Sequence, residues 1–177
     1  MTRARERAAA LKLMAFDVDG VLTDGTIWYS AEGDVMKGFS TLDGHGLKML
    51  QMAGIELAII TGRRSQALEK RCENLGITRL HQGISDKRGE LDRLLAELNL
   101  PPSAAGYMGD DIVDLPILSA CGFAATTSDG HPLLRERVDY FSAPPGGRGA
   151  VREVCEFILE AQGKLAPLMA RWTGTPE

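Results

Sequence analysis

The sequence predicts an α/β fold built on a mostly parallel sheet. Three observations lead there. Short apolar runs of strand length recur at 13–18, 55–60, 104–108, 122–125 and 139–141. Amphipathic helical patterns separate these runs. Most runs are near-continuously apolar, as in strands covered on both faces, and do not alternate with polar residues.

Taken in order, the chain opens with Arg3, Arg5, Arg7 and Lys12. No apolar stretch before a cleavage site follows, so this reads as a solvated or frayed start and not a signal peptide. The run at 13–18 is the first strand, ending in the acids Asp17 and Asp19. Residues 26–39 break the alternation. Ile27-Trp28-Tyr29 and the stretch 35–39 flank the turn Ala31-Glu32-Gly33-Asp34, which predicts a β-hairpin within about 24–40. It should project over the end of the first strand. Asp43 is the expected cap of a helix reaching Ala53, with Gly54 ending it. After the strand at 55–60, a helix is expected from Ser65 to Leu75, closed by Gly76. A more polar strand is expected at 78–82. Ser85 is the expected cap of a helix carrying Leu91, Leu94, Leu95 and Leu98 on one face, stopped by Asn99 and two prolines. The strands at 104–108, 122–125 and 139–141 alternate with short helices at 111–120 and 132–137. The last helix, 150–161, turns Val151, Val154, Cys155, Ile158 and Leu159 to one side. The tail, 164–177, reads as an irregular arm. Right-handed crossovers between parallel strands then give a Rossmann-like three-layer sandwich with a projecting hairpin. Its 177 residues suit one domain, 1–177.

Composition narrows the function classes. The 44% of hydrophobic residues supports an ordinary globular core. A formal net charge of -4, with Lys and Arg scattered, gives no electrostatic case for nucleic acid. Cys72, Cys121 and Cys155 are odd in number and widely spaced, which argues for reduced thiols in a cytoplasmic protein. No apolar run approaches the ~20 residues of a membrane span.

Ligands in open α/β sheets bind beyond the carboxyl ends of the strands. There the sequence gathers Asp17 and Asp19, then Thr61, Gly62 and Arg63, then Lys87, then Asp110, Asp111 and Asp114. Crowded carboxylates repel one another unless a cation sits among them. Magnesium takes a few carboxylates together with waters and phosphate oxygens. A hydroxyl and an ammonium beside them supply phosphate contacts, so the parts of a phosphoryl-transfer site are present. Asp17 is the natural nucleophile. Asp19 can protonate the leaving oxygen and then deprotonate water, and Gly20 permits the turn after it. Asp111 reads as a helix-start charge, and His45, His81 and His131 lack metal-ligand spacing.

The segments Asp17-Val18-Asp19-Gly20, Ile60-Thr61-Gly62-Arg63, Lys87 and Gly-Asp-Asp-Ile-Val-Asp at 109–114 together resemble the haloacid dehalogenase superfamily of phosphatases. The resemblance spans roughly 13–163. It implies Asp17 as nucleophile and Asp19 as general acid and base. It implies Mg2+ held by Asp17, the Asp19 backbone carbonyl and Asp110, with Asp114 supporting from behind. It implies phosphate contacts from Thr61, Gly62 and Lys87. The hairpin and one helix use up the segment between Asp19 and Thr61, so no cap domain fits.

Within the capless branch, the chain is similar to the phosphatases of 3-deoxy-D-manno-octulosonate 8-phosphate. The features are Asp-Val-Asp-Gly-Val-Leu-Thr-Asp-Gly at 17–25, Thr-Gly-Arg-Arg-Ser at 61–65, Arg71-Cys72, and the stretch 131–159. That group acts in lipopolysaccharide precursor synthesis and forms homotetramers with the hairpins at the centre, each site completed by a neighbour. The resemblance implies substrate contacts from Asp19, Ser40, Thr41, Leu42, Asp43, Gly44, Lys48, Arg63, Arg71 and Lys87. The group often has an arginine where Leu42 stands. A phosphatase for another nonulosonate 9-phosphate, a general phosphosugar phosphatase, and an inactive binding module of the same fold are the alternatives. The full acid, threonine and lysine set argues against the last.

Overall fold

The computed structural model describes residues 2–174, apart from the side chains of Asp34 and Val35. Six parallel strands form the sheet: β1 (Leu13–Phe16), β4 (Glu56–Thr61), β5 (Arg79–Gln82), β6 (Ala105–Met108), β7 (Phe123–Thr126) and β8 (Tyr140–Phe141), in the order β5-β4-β1-β6-β7-β8. β1 is central, flanked by β4 and β6. The chain winds outward first to one side and then to the other. The reversal of strand order at β1 opens a crevice at its carboxyl end, which is where Asp17 and Asp19 lie.

Strand periodicity assigns the faces. Met14 and Phe16 point into one core with Leu57 and Ile59. Leu13 and Ala15 point into the other with Ala58 and Ile60. The first core is covered by α1 (Arg3–Ala9), α2 (Thr41–Met52), α3 (Gln66–Leu75), α6 (Ala150–Ala161) and α7 (Leu165–Thr173). The second is covered by α4 (Lys87–Leu98) and α5 (Leu115–Ala120). Short 3-10 turns stand at Pro102–Ala104, Ile112–Asp114 and Pro132–Leu134. The three-layer sandwich is as the sequence predicts.

The hairpin is β2 (Trp28–Ser30) paired antiparallel with β3 (Gly33–Met36), narrower than the expected 24–40. It is a separate two-stranded sheet whose Trp28, Tyr29 and Met36 are 57%, 65% and 56% exposed.

Several local expectations are corrected. Ser40, not Asp43, caps α2, its hydroxyl accepting from the Asp43 N–H at 3.3 Å. Asp86, not Ser85, caps α4 by accepting from Gly89 N–H at 2.9 Å. The expected helix at 132–137 is only a 3-10 turn, and 111–120 is a 3-10 turn followed by α5. The frayed start is α1, held by Arg7 on Asp139 at 2.7 Å and by the buried Ala8. The irregular tail is α7 as far as Thr173. Pro167 lies in its first turn, where a missing N–H costs nothing. Residues 175–177 of that expectation, and Met1 of the domain, lie outside the described residues. Between Asp19 and Thr61 there is no inserted cap, only the hairpin, α2 and β4.

Candidate active site

The acids after β1 sit in a tightly wound loop. The Val18 carbonyl accepts from Val21, Leu22 and Thr23 N–H at 3.2, 2.9 and 3.0 Å. The fully buried Thr23 hydroxyl lies 3.4 Å from Gly20 N and 3.2 Å from Gly25 N. Gly20 adopts φ +90°, and a Cβ there would lie 2.0 Å from Asp110 Oδ2. Glycine is therefore required for the loop backbone to approach the Asp110 carboxylate. The loop is also pressed from behind: a Cβ on Gly146 would meet the Gly20 carbonyl oxygen at 1.9 Å.

Asp17 continues β1, with its N–H on the Met108 carbonyl at 2.9 Å. Its Oδ1 accepts from Val18 N–H at 2.7 Å, and its Oδ2 from Lys87 Nζ at 2.6 Å. Lys87, the first residue of α4, also donates to Asp114 Oδ1 at 2.6 Å. Asp114 has no exposed surface. Its Oδ1 lies 3.2 Å from the Tyr107 hydroxyl, and its Oδ2 accepts from Asp110 and Asp111 N–H at 3.1 and 3.3 Å. Asp114 is thus fully engaged, orienting Lys87 and shaping the loop that carries Asp110. Asp111 caps the short turn by accepting from Ile112 N–H at 2.7 Å, as its helix-start reading expects.

The electrostatics are unbalanced towards negative charge. Burial raises Asp17, with Lys87 opposing and Asp114 adding to the shift. Burial opposes the Lys87 charge, but Asp17 and Asp114 outweigh it and raise that group. Burial, followed by Asp17, Asp114 and Asp111, pushes Asp110 up to about 7. No side-chain hydrogen bond engages Asp110 among the described residues. One ammonium therefore faces three carboxylates.

Ligand oxygens of Asp17, Asp110 and Asp114 lie within 4.8 Å of one another. Opposite ligands of magnesium at 2.0–2.1 Å stand about 4 Å apart, so small shifts bring the cluster onto such an ion. The hard oxygen donors, the excess negative charge and the close backbone approach at Gly20 all fit Mg2+. Asp17 and Asp110 are the carboxylates open to it.

A cavity of about 380 Å³ opens onto this cluster, lined by Asp17, Asp19, Thr61, Gly62, Arg63, Lys87 and Asp110 among others. These are the residues the sequence places at strand ends, and the structure brings them together. Asp19 pairs with Lys37 Nζ and lies 3.7 Å from Arg63 Nε. Sequence reading missed Lys37 and Tyr107. Of the expected substrate contacts, Asp19, Arg63 and Lys87 line this cavity, and Ser40, Thr41, Leu42, Asp43, Gly44, Lys48 and Arg71 do not. Asp43 is buried, its carboxylate accepting from Gly149 and Arg152 N–H at 3.2 and 2.9 Å, so it caps α6. Arg71 donates to the Ser40 carbonyl at 3.0 Å and lies against Gly44. Thr41, Leu42 and Lys48 are exposed on α2 and do not line the cavity.

No family model matches the chain. It is 46% identical over 160 residues to the 3-deoxy-D-manno-octulosonate 8-phosphate phosphatase KdsC of Yersinia pestis, covering 90% of this chain and 86% of that one. It is 45% identical over 159 residues to the phosphatase of the same name from Escherichia coli K12, covering 90% and 85%. Among solved structures it is similar to the Moraxella catarrhalis 3-deoxy-D-manno-octulosonate 8-phosphate phosphatase in complex with magnesium, phosphate and KDO. That likeness has TM-score 0.94 and 42% identity over 97% of this chain and 99% of the other. A putative HAD superfamily hydrolase of Legionella pneumophila is similar at TM-score 0.91 and 38% identity, covering 98% and 95%.

Proposed function

We propose, because the chain belongs to the 3-deoxy-D-manno-octulosonate 8-phosphate phosphatase family of the haloacid dehalogenase superfamily, that it hydrolyses that sugar acid phosphate to the free sugar acid and phosphate. The observation that carries the chemistry is the convergence of Asp17, Asp19, Thr61, Lys87 and Asp110 on one cavity. Asp17, Asp110 and the Asp19 carbonyl would hold Mg2+, which when bound would neutralise charge on the phosphate and its transition state.

Thr61, the Gly62 backbone and Lys87 bind the phosphate oxygens. Asp17 attacks phosphorus and forms an aspartyl phosphate, while Asp19 gives its proton to the departing sugar oxygen. Asp19 then takes a proton from water as that water attacks the same phosphorus. Asp17 leaves as a carboxylate and phosphate is released. Asp114 holds Lys87 and Asp110 in place. The exposed Arg63 at the cavity mouth suits the sugar carboxylate, which its planar fork can bond through two oxygens.

Among the described residues no cap domain covers the site. We read the protein as a cytoplasmic homotetramer assembled around the hairpins; the exposed Trp28, Tyr29 and Met36, on a two-stranded sheet too small to be stable alone, support association there. A phosphate-release panel with magnesium tests the substrate. Release from 3-deoxy-D-manno-octulosonate 8-phosphate should far exceed release from hexose phosphates. Equal rates would favour a general phosphosugar phosphatase.

A further inference from the structure

Lys37 follows β3 and turns back from the hairpin into the catalytic rim. Its side chain is only 1% exposed, a costly place for an unpaired ammonium. Its ion-pair partner is Asp19 Oδ1. The other oxygen, Oδ2, is buried with no hydrogen bond among the described residues. Arg63 Nε lies 3.7 Å from it, and Arg63 donates to the Tyr29 hydroxyl of β2 at 3.1 Å. Both hairpin strands thus reach Asp19, β3 through Lys37 and β2 through Tyr29 and Arg63. Asp17 differs: its carboxylate is fixed by the Val18 N–H of its own loop and by Lys87 of α4, without the hairpin. Among the described residues the Asp19 carboxylate accepts no backbone N–H, so the hairpin is what fixes it.

We propose that Lys37 is a positioning residue for Asp19, so that an ordered hairpin sets the proton-transfer carboxylate of its own subunit. This rests on the reading of Asp19 as general acid and base. Lys37 holds the carboxylate through Oδ1; Oδ2, buried here with no hydrogen bond among the described residues, is the oxygen left to carry the proton. Without the ammonium, the side chain rotates out of reach. A positioned proton donor contributes ~10²–10⁴-fold, so losing its orientation lowers turnover on the order of 10- to 100-fold.

The test uses the full chain with magnesium and p-nitrophenyl phosphate. Its leaving group departs without a proton, so only phosphoenzyme breakdown needs Asp19. For Lys37→Met, kcat should fall about 10- to 100-fold and KM should fall with it, leaving kcat/KM nearly unchanged. Rapid mixing should show a burst of nitrophenolate approaching one per site, as the phosphoenzyme accumulates. Unchanged kcat, or a fall with no burst, overturns the proposal. If Lys37→Met also melts early, Lys37→Arg decides: turnover near wild type supports the proposal, and a loss as large as that of Lys37→Met overturns it. A wild-type chain without magnesium-dependent release overturns the reading of the site and this proposal with it. An active wild type beside an unaltered Lys37→Met overturns the proposal alone.

Discussion

Gly146→Ala should damage catalysis without touching a catalytic residue. Gly146 is not in the left-handed region, so alanine is allowed there and the test is purely steric. Its Cβ would lie 1.9 Å from the Gly20 carbonyl oxygen, 2.6 Å from the Gly20 carbonyl carbon and 3.0 Å from the Thr23 carbonyl oxygen. Ordinary contact begins near 3.4 Å, so loop and helix entry must part by roughly 1 Å or more. Gly20 has little room to move, because Asp110 Oδ2 occupies the space where a Gly20 Cβ would stand, 2.0 Å from that position. The strain therefore passes between Asp17, Asp19 and Asp110. Overpacking of this kind costs about 1–3 kcal/mol. In a chain of this size that is a melting-temperature drop of about 2–12 °C. A misplacement near 1 Å lowers turnover by up to about 10²-fold. The assays are thermal melting and magnesium-dependent phosphate release. Gly163→Ala is the control: φ is +67° but nothing lies within 4 Å, so it should lose about 1 kcal/mol of stability and no activity. A Gly146→Ala protein with wild-type melting and turnover would refute the reasoning.

Three further outcomes follow from the same geometry. Lys87→Met leaves Asp17 and the fully buried Asp114 without their ammonium, and should cost about 3–5 kcal/mol at neutral pH in EDTA. The cost should shrink in acid, as the carboxylates take up protons; a denaturant titration at two pH values checks this. Magnesium binding should weaken below pH 7, by up to about tenfold per unit, because it must displace the proton from Asp110. The folded carboxyl sits above its ordinary 3.8, so the metal-free fold gains stability from this group as pH falls from 7 towards 3.8 and loses it as pH rises. The melting-temperature gain on adding magnesium should therefore be larger at pH 8 than at pH 6. Trp28→Glu should convert a larger assembly to a smaller one, read by solution mass, since Trp28 is 57% exposed on the hairpin.

The strand-end acids were legible because a short apolar run followed by acids fixes both the strand and the rim that its residues occupy. Asp17, Thr61, Lys87 and Asp110 all reach the cavity by that logic. Lys37 was not legible, because its approach depends on how the hairpin folds back, and no periodicity encodes that. Tyr107 reads as one more apolar core residue, yet its hydroxyl lies 3.1 Å from the Ile60 carbonyl as well as beside Asp114. Asp43 looked like a cap for its own helix. Ser40 three residues earlier takes that position, and Asp43 instead caps α6, more than a hundred residues on. Such distant pairings leave no local trace. The two terminal helices were hidden for a related reason. Their stability comes from tertiary partners, such as Asp139 for Arg7 and the Ala53 carbonyl for Lys164 at 2.9 Å, more than from propensity.

The claim on which the rest depends is that Asp17 becomes phosphorylated. Turnover quenched in acid and treated with borohydride reduces an aspartyl phosphate to homoserine, which peptide mass spectrometry locates. Homoserine should appear at position 17, and Asp17→Asn should give neither the label nor phosphate release. Label at Asp19 or Asp110, or continued turnover by Asp17→Asn, would contradict the mechanism.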